Sequence, residues 1–186
     1  MKLFQTVIIS ALWCISSLFS QVNTEAMRDS KQLPGLHHQL NLSYAYISGN
    51  SEIMVLHSKY RIDYHPQSNW HGFFVTKYDR AFEKSQDDFS NKGFGQLRAI
   101  KQVSPKIQIE GFLQKEFNYF IDLKNRELLG GNLRFNLFKK CFIATGAMHE
   151  KEVYESIKVQ NFIKSTSYIN YSAQLMEKVT LKNVLY

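Results

Sequence analysis

The chain has 186 residues, 44% hydrophobic, 21% charged and 14% aromatic, with 3 Pro and 9 Gly. That is enough apolar material for one domain of about 150 residues, and it excludes a disordered or collagen-like chain. The 23 Lys and Arg against 16 Asp and Glu leave a charge of +7. No apolar run of about 20 residues follows the N-terminus, which excludes a helical membrane bundle.

Residues 1–25 read as a secretory signal peptide. Lys2 supplies the positive start, Val7-Ile8-Ile9, Ala11-Leu12-Trp13 and Leu18-Phe19 form a short apolar stretch, and Ser16, Ser17 and Ser20 precede cleavage. Cleavage falls between Ser20 and Ala26. A lipid anchor at Cys14 does not fit, because bulky Trp13 stands where a small residue is needed. Removing Cys14 leaves Cys141 alone, so the mature chain forms no internal disulfide. Residues 26–38 read as a flexible leader, broken at Pro34-Gly35.

From residue 39 onward the pattern alternates. Leu40, Leu42, Tyr44 and Tyr46 interleave with polar or small residues, as do Met54, Leu56, Tyr60, Ile62 and Tyr64. The same holds for Ile107, Ile109, Leu113 and Phe117, and for Leu129, Leu133, Phe135 and Leu137. Period two predicts strands with one apolar and one polar face. Nine are expected, over 39–48, 53–65, 69–78, 89–101, 106–119, 125–138, 141–150, 162–175 and 179–186. Most exceed the usual strand length of about 5–6 residues and match the roughly 9–11 that cross a bilayer at a tilt. The fold class is therefore all-β, an antiparallel up-and-down transmembrane β-barrel meander occupying 39–186.

Pairing residues whose numbers sum to 244 sets Glu110 against Arg134 and Asn118 against Arg126. It also sets Ile109 against Phe135 and places the reversal at Ile121-Asp122-Leu123. Leu113, Leu133 and Phe135 then face outward, and Glu110 and Arg134 inward. Connections near 66–68, 102–105, 139–140 and 176–178 are short, while those near 79–88 and 151–161 are long and charged. Outer-membrane barrels show this asymmetry. Tyr64, Trp70, Tyr78, Tyr119, Phe138 and Tyr154 fall near strand ends, where amphipathic rings favour the headgroup layer. Nine strands would leave the last one running outward, so the barrel is expected not to close, with free edges at Leu40–Ile47 and Val179–Tyr186 and a strand missing at the C-terminus.

Leu42-Ser43-Tyr44 leading into Ser48-Gly49-Asn50-Ser51-Glu52, and Leu129-Gly130-Gly131-Asn132-Leu133-Arg134-Phe135, resemble segments of a bacterial family of uncharacterised outer-membrane proteins. Some of its members are described as salt-induced outer-membrane proteins. The resemblance covers about residues 40–186 and rests on short Gly-centred motifs. It implies a Gram-negative outer-membrane barrel and supplies no catalytic residues.

Chemical motifs are sparse. There is no Gly-x-Ser-x-Gly elbow, P-loop, dinucleotide fingerprint or Cys-x-x-Cys. His37-His38 point apart in an extended chain, His149-Glu150-Lys151-Glu152 reads as a polar loop, and His57 and Ser58 fall on opposite faces. The charged residues that matter are Arg61, Glu110, Glu116, Arg126 and Arg134, joined by Arg98 and Asp63, read as a polar network lining a lumen. Buried charges in a narrow barrel must pair, and that requires no enzyme. The expected role is structural or pore-type in the cell outer membrane, with no catalysis, cofactor or metal. The expected partners are outer-membrane lipid and lipopolysaccharide, and nucleic acid is not among them. The alternative is a soluble secreted or periplasmic lipocalin-like barrel that binds an apolar ligand; a lipid hydrolase ranks third.

Overall fold

The structure is a computed structural model. It describes residues 34–49, 51–83, 88–138, 141–155, 159–176 and 179–185, with side chains as far as Tyr171. The expected signal peptide and most of the leader lie outside the described residues.

The described chain is a single antiparallel meander. Its strands are β1 (Gly35–Ile47), β2 (Ile53–His65), β3 (Trp70–Glu83), β4 (Asp88–Ser104), β5 (Ile107–Asn118), β6 (Leu123–Phe138), β7 (Cys141–Tyr154), β8 (Gln160–Ser165), β9 (Tyr168–Met176) and β10 (Val179–Leu185). Each of β1 to β7 pairs with its sequence neighbours. One half of β7 then pairs with β8 (Ala147 opposite Ser165) and the other half with β9 (Ala144 opposite Tyr168). β8 and β9 are thus one line of chain broken at Thr166-Ser167. The Thr166 N–H reaches the Gly146 carbonyl at 3.1 Å, and its hydroxyl donates to Asn132 Oδ1.

Three expectations change. The leader ends sooner, because β1 begins at Gly35 and carries His37 and His38 in its ladder. The long charged connections largely disappear, since β3 extends to Glu83, β4 starts at Asp88 and β7 runs to Tyr154. Asp79, Arg80, Glu83, Asp88, Lys151 and Glu152 sit on strands.

The β5–β6 hairpin is also shifted by two residues: Ile109 faces Leu133 and Gln108 faces Arg134. The cause is the turn. Tyr119–Ile121 form one 3-10 turn, Asn118 Oδ1 accepts the Phe120 N–H at 3.2 Å, and Asp122 closes the turn with φ 56° in the left-handed region. β6 therefore starts at Leu123. A slip of two residues leaves every side chain on its expected face.

The faces have inverted burial. Ile62, Phe74, Leu97, Leu113, Leu129, His149 and Ile163 form one row across seven strands. Of these, Leu97, Leu113, Leu129 and Ile163 are 52%, 52%, 60% and 84% exposed. On the opposite face Arg98, Glu110, Arg134 and Glu150 are 2%, 2%, 5% and 1% exposed. The polar face is the buried one. A small apolar cluster of Phe112, Leu128 and Met148 packs among its charges. There a Cβ on Gly130 would lie 2.6 Å from the Phe112 ring, so glycine admits the ring.

Among the described residues no ladder joins β10 to β1, so the sheet is not closed. β1 pairs with β2 and β10 with β9.

Candidate functional site

Alternation puts every second residue of β2 to β8 on the buried polar face, and the register decides which charges meet there. Three hairpins each contribute an arginine stacked near a phenylalanine of the next strand. The guanidinium carbons of Arg61, Arg98 and Arg134 lie 4.5, 5.2 and 4.1 Å from the ring centroids of Phe73, Phe112 and Phe142. A flat, weakly hydrated guanidinium tolerates such a site better than an ammonium.

Each of these arginines also has an acid. Arg61 Nε donates to Asp63 Oδ2 at 2.5 Å, two residues along the same strand. Arg98 Nη1 donates to Glu110 Oε2 at 3.0 Å, and Arg134 Nη1 stands 3.8 Å from Glu110 Oε1. Glu110 thus lies between two cations. The expected Glu110–Arg134 contact exists, but Arg98 is the nearer partner.

Arg126 organises a second cluster. Its guanidinium lies 2.5 Å from Glu116 Oε1, 2.6 Å from Glu152 Oε1 and 3.2 Å from Glu150 Oε1. Lys164 on β8 closes the cluster, 2.7 Å from Glu150 Oε2. Gln114 Nε2 donates to Glu116 Oε2 at 2.9 Å, and Gln96 Nε2 donates to Gln114 Oε1 at 2.9 Å. The Tyr154 hydroxyl donates to Glu152 at 3.2 Å. Cations and amides so interleaved offset much of the desolvation cost of the three carboxylates.

All five residues expected in the polar network lie on this face. Glu110 with Arg134, and Glu116 with Arg126, form contacts; Arg61 pairs separately with Asp63 on β2. Glu150, Glu152 and Lys164 belong to the network and were not expected. The expected strand ends at 150, although Ala144, Gly146, Met148, Glu150 and Glu152 continue one parity. His149 falls on the apolar face, so it and Glu150 cannot ligate one ion.

Toward β1 the charges are arranged differently. Lys59 stands directly opposite Lys77, both half-buried. One step along, His57 Nδ1 lies 2.8 Å from Asp79 Oδ1, and Lys92 lies 3.9 Å from the other carboxylate oxygen. Asn41, Ser43, His57, Lys59, Lys77 and Asp79 line a cavity of about 170 Å³. Ser43 faces His57 across the β1–β2 ladder. Ser43, His57 and Asp79 thus stand in a row, but among the described residues the Ser43 hydroxyl makes no hydrogen bond to the ring, so the link of nucleophile to base is missing.

The exposed face carries rings at both ends. Tyr64 and Trp70 pack edge to face at 5.6 Å near one end. Tyr78, Phe117 and Tyr119 follow one another at 6.4 and 5.2 Å toward the other. Tyr154 turns its hydroxyl to Glu152 and does not join them. Between the ends, Lys115 pairs with Glu127 at 3.4 Å beside a groove floored by Phe74, Leu97, Leu113 and Leu129.

Together these features define a long-stranded antiparallel meander with a buried, ion-paired polar face and an exposed apolar one. The chain matches no family model, no curated protein and no solved structure.

Proposed function

We propose that the protein is a membrane-embedded β-sheet protein of a bacterial outer membrane, exported by its signal peptide, with a structural or pore-type role and no catalysis. The inversion of burial carries this reading. Leu97, Leu113, Leu129 and Leu133 are 52%, 52%, 60% and 44% exposed, while Arg98, Glu110, Arg134 and Glu150 on the other face are buried. In water that arrangement leaves apolar area exposed at a cost of about 25 cal/mol per Å². Against lipid tails the cost disappears, and alternating strands of a membrane barrel have this arrangement.

Two further features support it. Strands of 12 to 17 residues from β1 to β7 exceed the roughly 9–11 needed to cross at a tilt. The rings near both ends of the exposed face match two aromatic girdles. The resemblance to the family of uncharacterised outer-membrane proteins points the same way. The partners on this reading are outer-membrane lipid and lipopolysaccharide, and the polar network of Arg61, Glu110, Glu116, Arg126 and Arg134 faces a lumen. In hydrocarbon the edges of β1 and β10 that carry no ladder among the described residues need backbone partners. The lipocalin-like alternative needs the apolar face inward, opposite to the burial described.

The test is fractionation followed by reconstitution. The protein is expected in the outer-membrane fraction, extractable only with detergent, and protected from protease along β2 to β7 in liposomes. Recovery in the soluble fraction without detergent would contradict the proposal.

A further inference from the structure

We infer that the cavity between β1, β2 and β3 on the polar face is a binding site for a phosphate-type oxyanion, held by Lys59 and Lys77. This rests on the polar face alone and stands whether or not the protein is in a membrane.

Cations on that face meet acids. Arg61 meets Asp63, Arg98 and Arg134 meet Glu110, Arg126 meets Glu116, Glu150 and Glu152, Lys164 meets Glu150, and His57 and Lys92 meet Asp79. Lys59 and Lys77 depart from this pattern. They occupy opposed positions in the β2–β3 ladder, and among the described residues neither ammonium has a carboxylate within salt-bridge distance. Like charges directly opposite each other destabilise a strand pair. The acid that lines the same cavity, Asp79, is held by His57 at 2.8 Å and Lys92 at 3.9 Å. The fold has therefore gathered two cations without their counterion.

A cavity occupies the place where that counterion would sit. Its volume is about 170 Å³, ample for a small anion. Besides the lysines it is lined by Asn41, Ser43 and Ser58, which carry neutral donors, by Leu42, and by the paired His57 and Asp79. Two ammoniums with a hydroxyl and an amide match an oxyanion that accepts several hydrogen bonds and carries more than one charge. A lone halide would leave the neutral donors idle. Binding replaces a Lys–Lys repulsion by two ion pairs, so the occupied site stabilises the β1–β3 sheet. The same chemistry is offered by a free phosphate and by a phospholipid headgroup, and the experiment separates them.

The wild-type chain, folded in a non-ionic, phosphate-free detergent, is treated with an amine-acylating reagent, and labelling of each lysine is read by mass spectrometry. Inorganic phosphate is expected to slow labelling of Lys59 and Lys77 at least fivefold, saturably, at constant ionic strength. Lys115 and Lys151, on the apolar face, should label at unchanged rates. A parallel arm replaces phosphate with phosphatidylglycerol in mixed micelles: protection there alone assigns the site to a lipid headgroup, and protection by phosphate assigns it to a free anion. Calorimetric titration then compares Lys59→Gln/Lys77→Gln with Lys115→Gln/Lys151→Gln, which removes equal charge from the other face. The first pair should weaken binding at least tenfold and the second should leave it unchanged. Protection of no lysine by either probe, or equal weakening by both pairs of substitutions, would overturn the site. Footprinting uses the unaltered chain, so a variant that fails to fold does not prevent a decision.

Discussion

Strands β4 to β7 and strands β1 to β3 share one polar face and treat its charges differently. In β4 to β7 every carboxylate named above is met, and Glu110 and Glu150 are 2% and 1% exposed. In β1 to β3 two lysines face each other, and His57, the residue beside them, keeps 58% of its side chain exposed. Each arrangement suits a different role. Buried ion pairs contribute little net stability but cost much to break, which suits a fixed scaffold. Half-buried like charges beside a cavity cost stability in the empty state, which suits a site that gains an anion.

The largest effect is expected at Arg126. Arg126→Met would leave Glu116, Glu150 and Glu152 sharing only Lys164 and their neutral donors. We expect a loss of about 3–5 kcal/mol in the denaturant unfolding free energy, the usual cost of removing one partner from a buried ionic cluster. A loss below about 1 kcal/mol would mean that this face is wet and its charges are screened.

The second largest effect separates the two faces. Leu133→Arg, on the exposed apolar face, should cost about 2–4 kcal/mol in lipid near the midplane. Arg134→Gln, next to it on the polar face, should cost less, because Arg98 still meets Glu110 at 3.0 Å. Unfolding titrations in liposomes check the order of the two.

Gly130→Ala sharpens the account of the scaffold. The added methyl would lie 2.6 Å from the Phe112 ring and 2.7 Å from Met148 Cβ. Overpacking of this kind costs about 1–3 kcal/mol. Gly111→Ala serves as the control, since nothing lies within 4 Å of the place its methyl would take, and thermal or denaturant melts of the two should differ accordingly.

The smallest effect has the opposite sign. Lys77→Gln removes a repulsion without opening a cavity, and should raise stability by up to about 1 kcal/mol in phosphate-free buffer. Destabilisation there would mean that Lys77 has an acidic partner.

The sequence was informative where alternation alone decides. β2 matches its expected span of 53–65, and Arg61, Glu110, Glu116, Arg126 and Arg134 share one face of the sheet. Parity survives small errors, which is why the β5–β6 pairing could slip by two residues without moving a side chain across the sheet. Register was not legible, because it depends on how Tyr119–Asp122 turns, and Asp122 in the left-handed region leaves no strong mark in a sequence.

Charge misled the reading of strand ends. Segments 79–88 and 151–161 look like solvated loops because they carry Asp79, Arg80, Lys151 and Glu152. In a sheet whose buried face is polar, charge on alternate residues is compatible with a strand. Glu152 was missed for that reason. The lysine pair was illegible for another: Lys59 and Lys77 become neighbours only through the β2–β3 register.

The central claim is that the exposed apolar face meets lipid while the polar face does not. In a background lacking native cysteine, single cysteines at positions 109 to 114 are labelled with a fluorophore, and the protein is placed in liposomes of brominated lipid. The account predicts strong quenching at 109, 111 and 113 and weak quenching at 110, 112 and 114, a period of two in phase with the burial of β5. Uniformly weak quenching, or the opposite phase with the even positions in contact with the brominated chains, would contradict it.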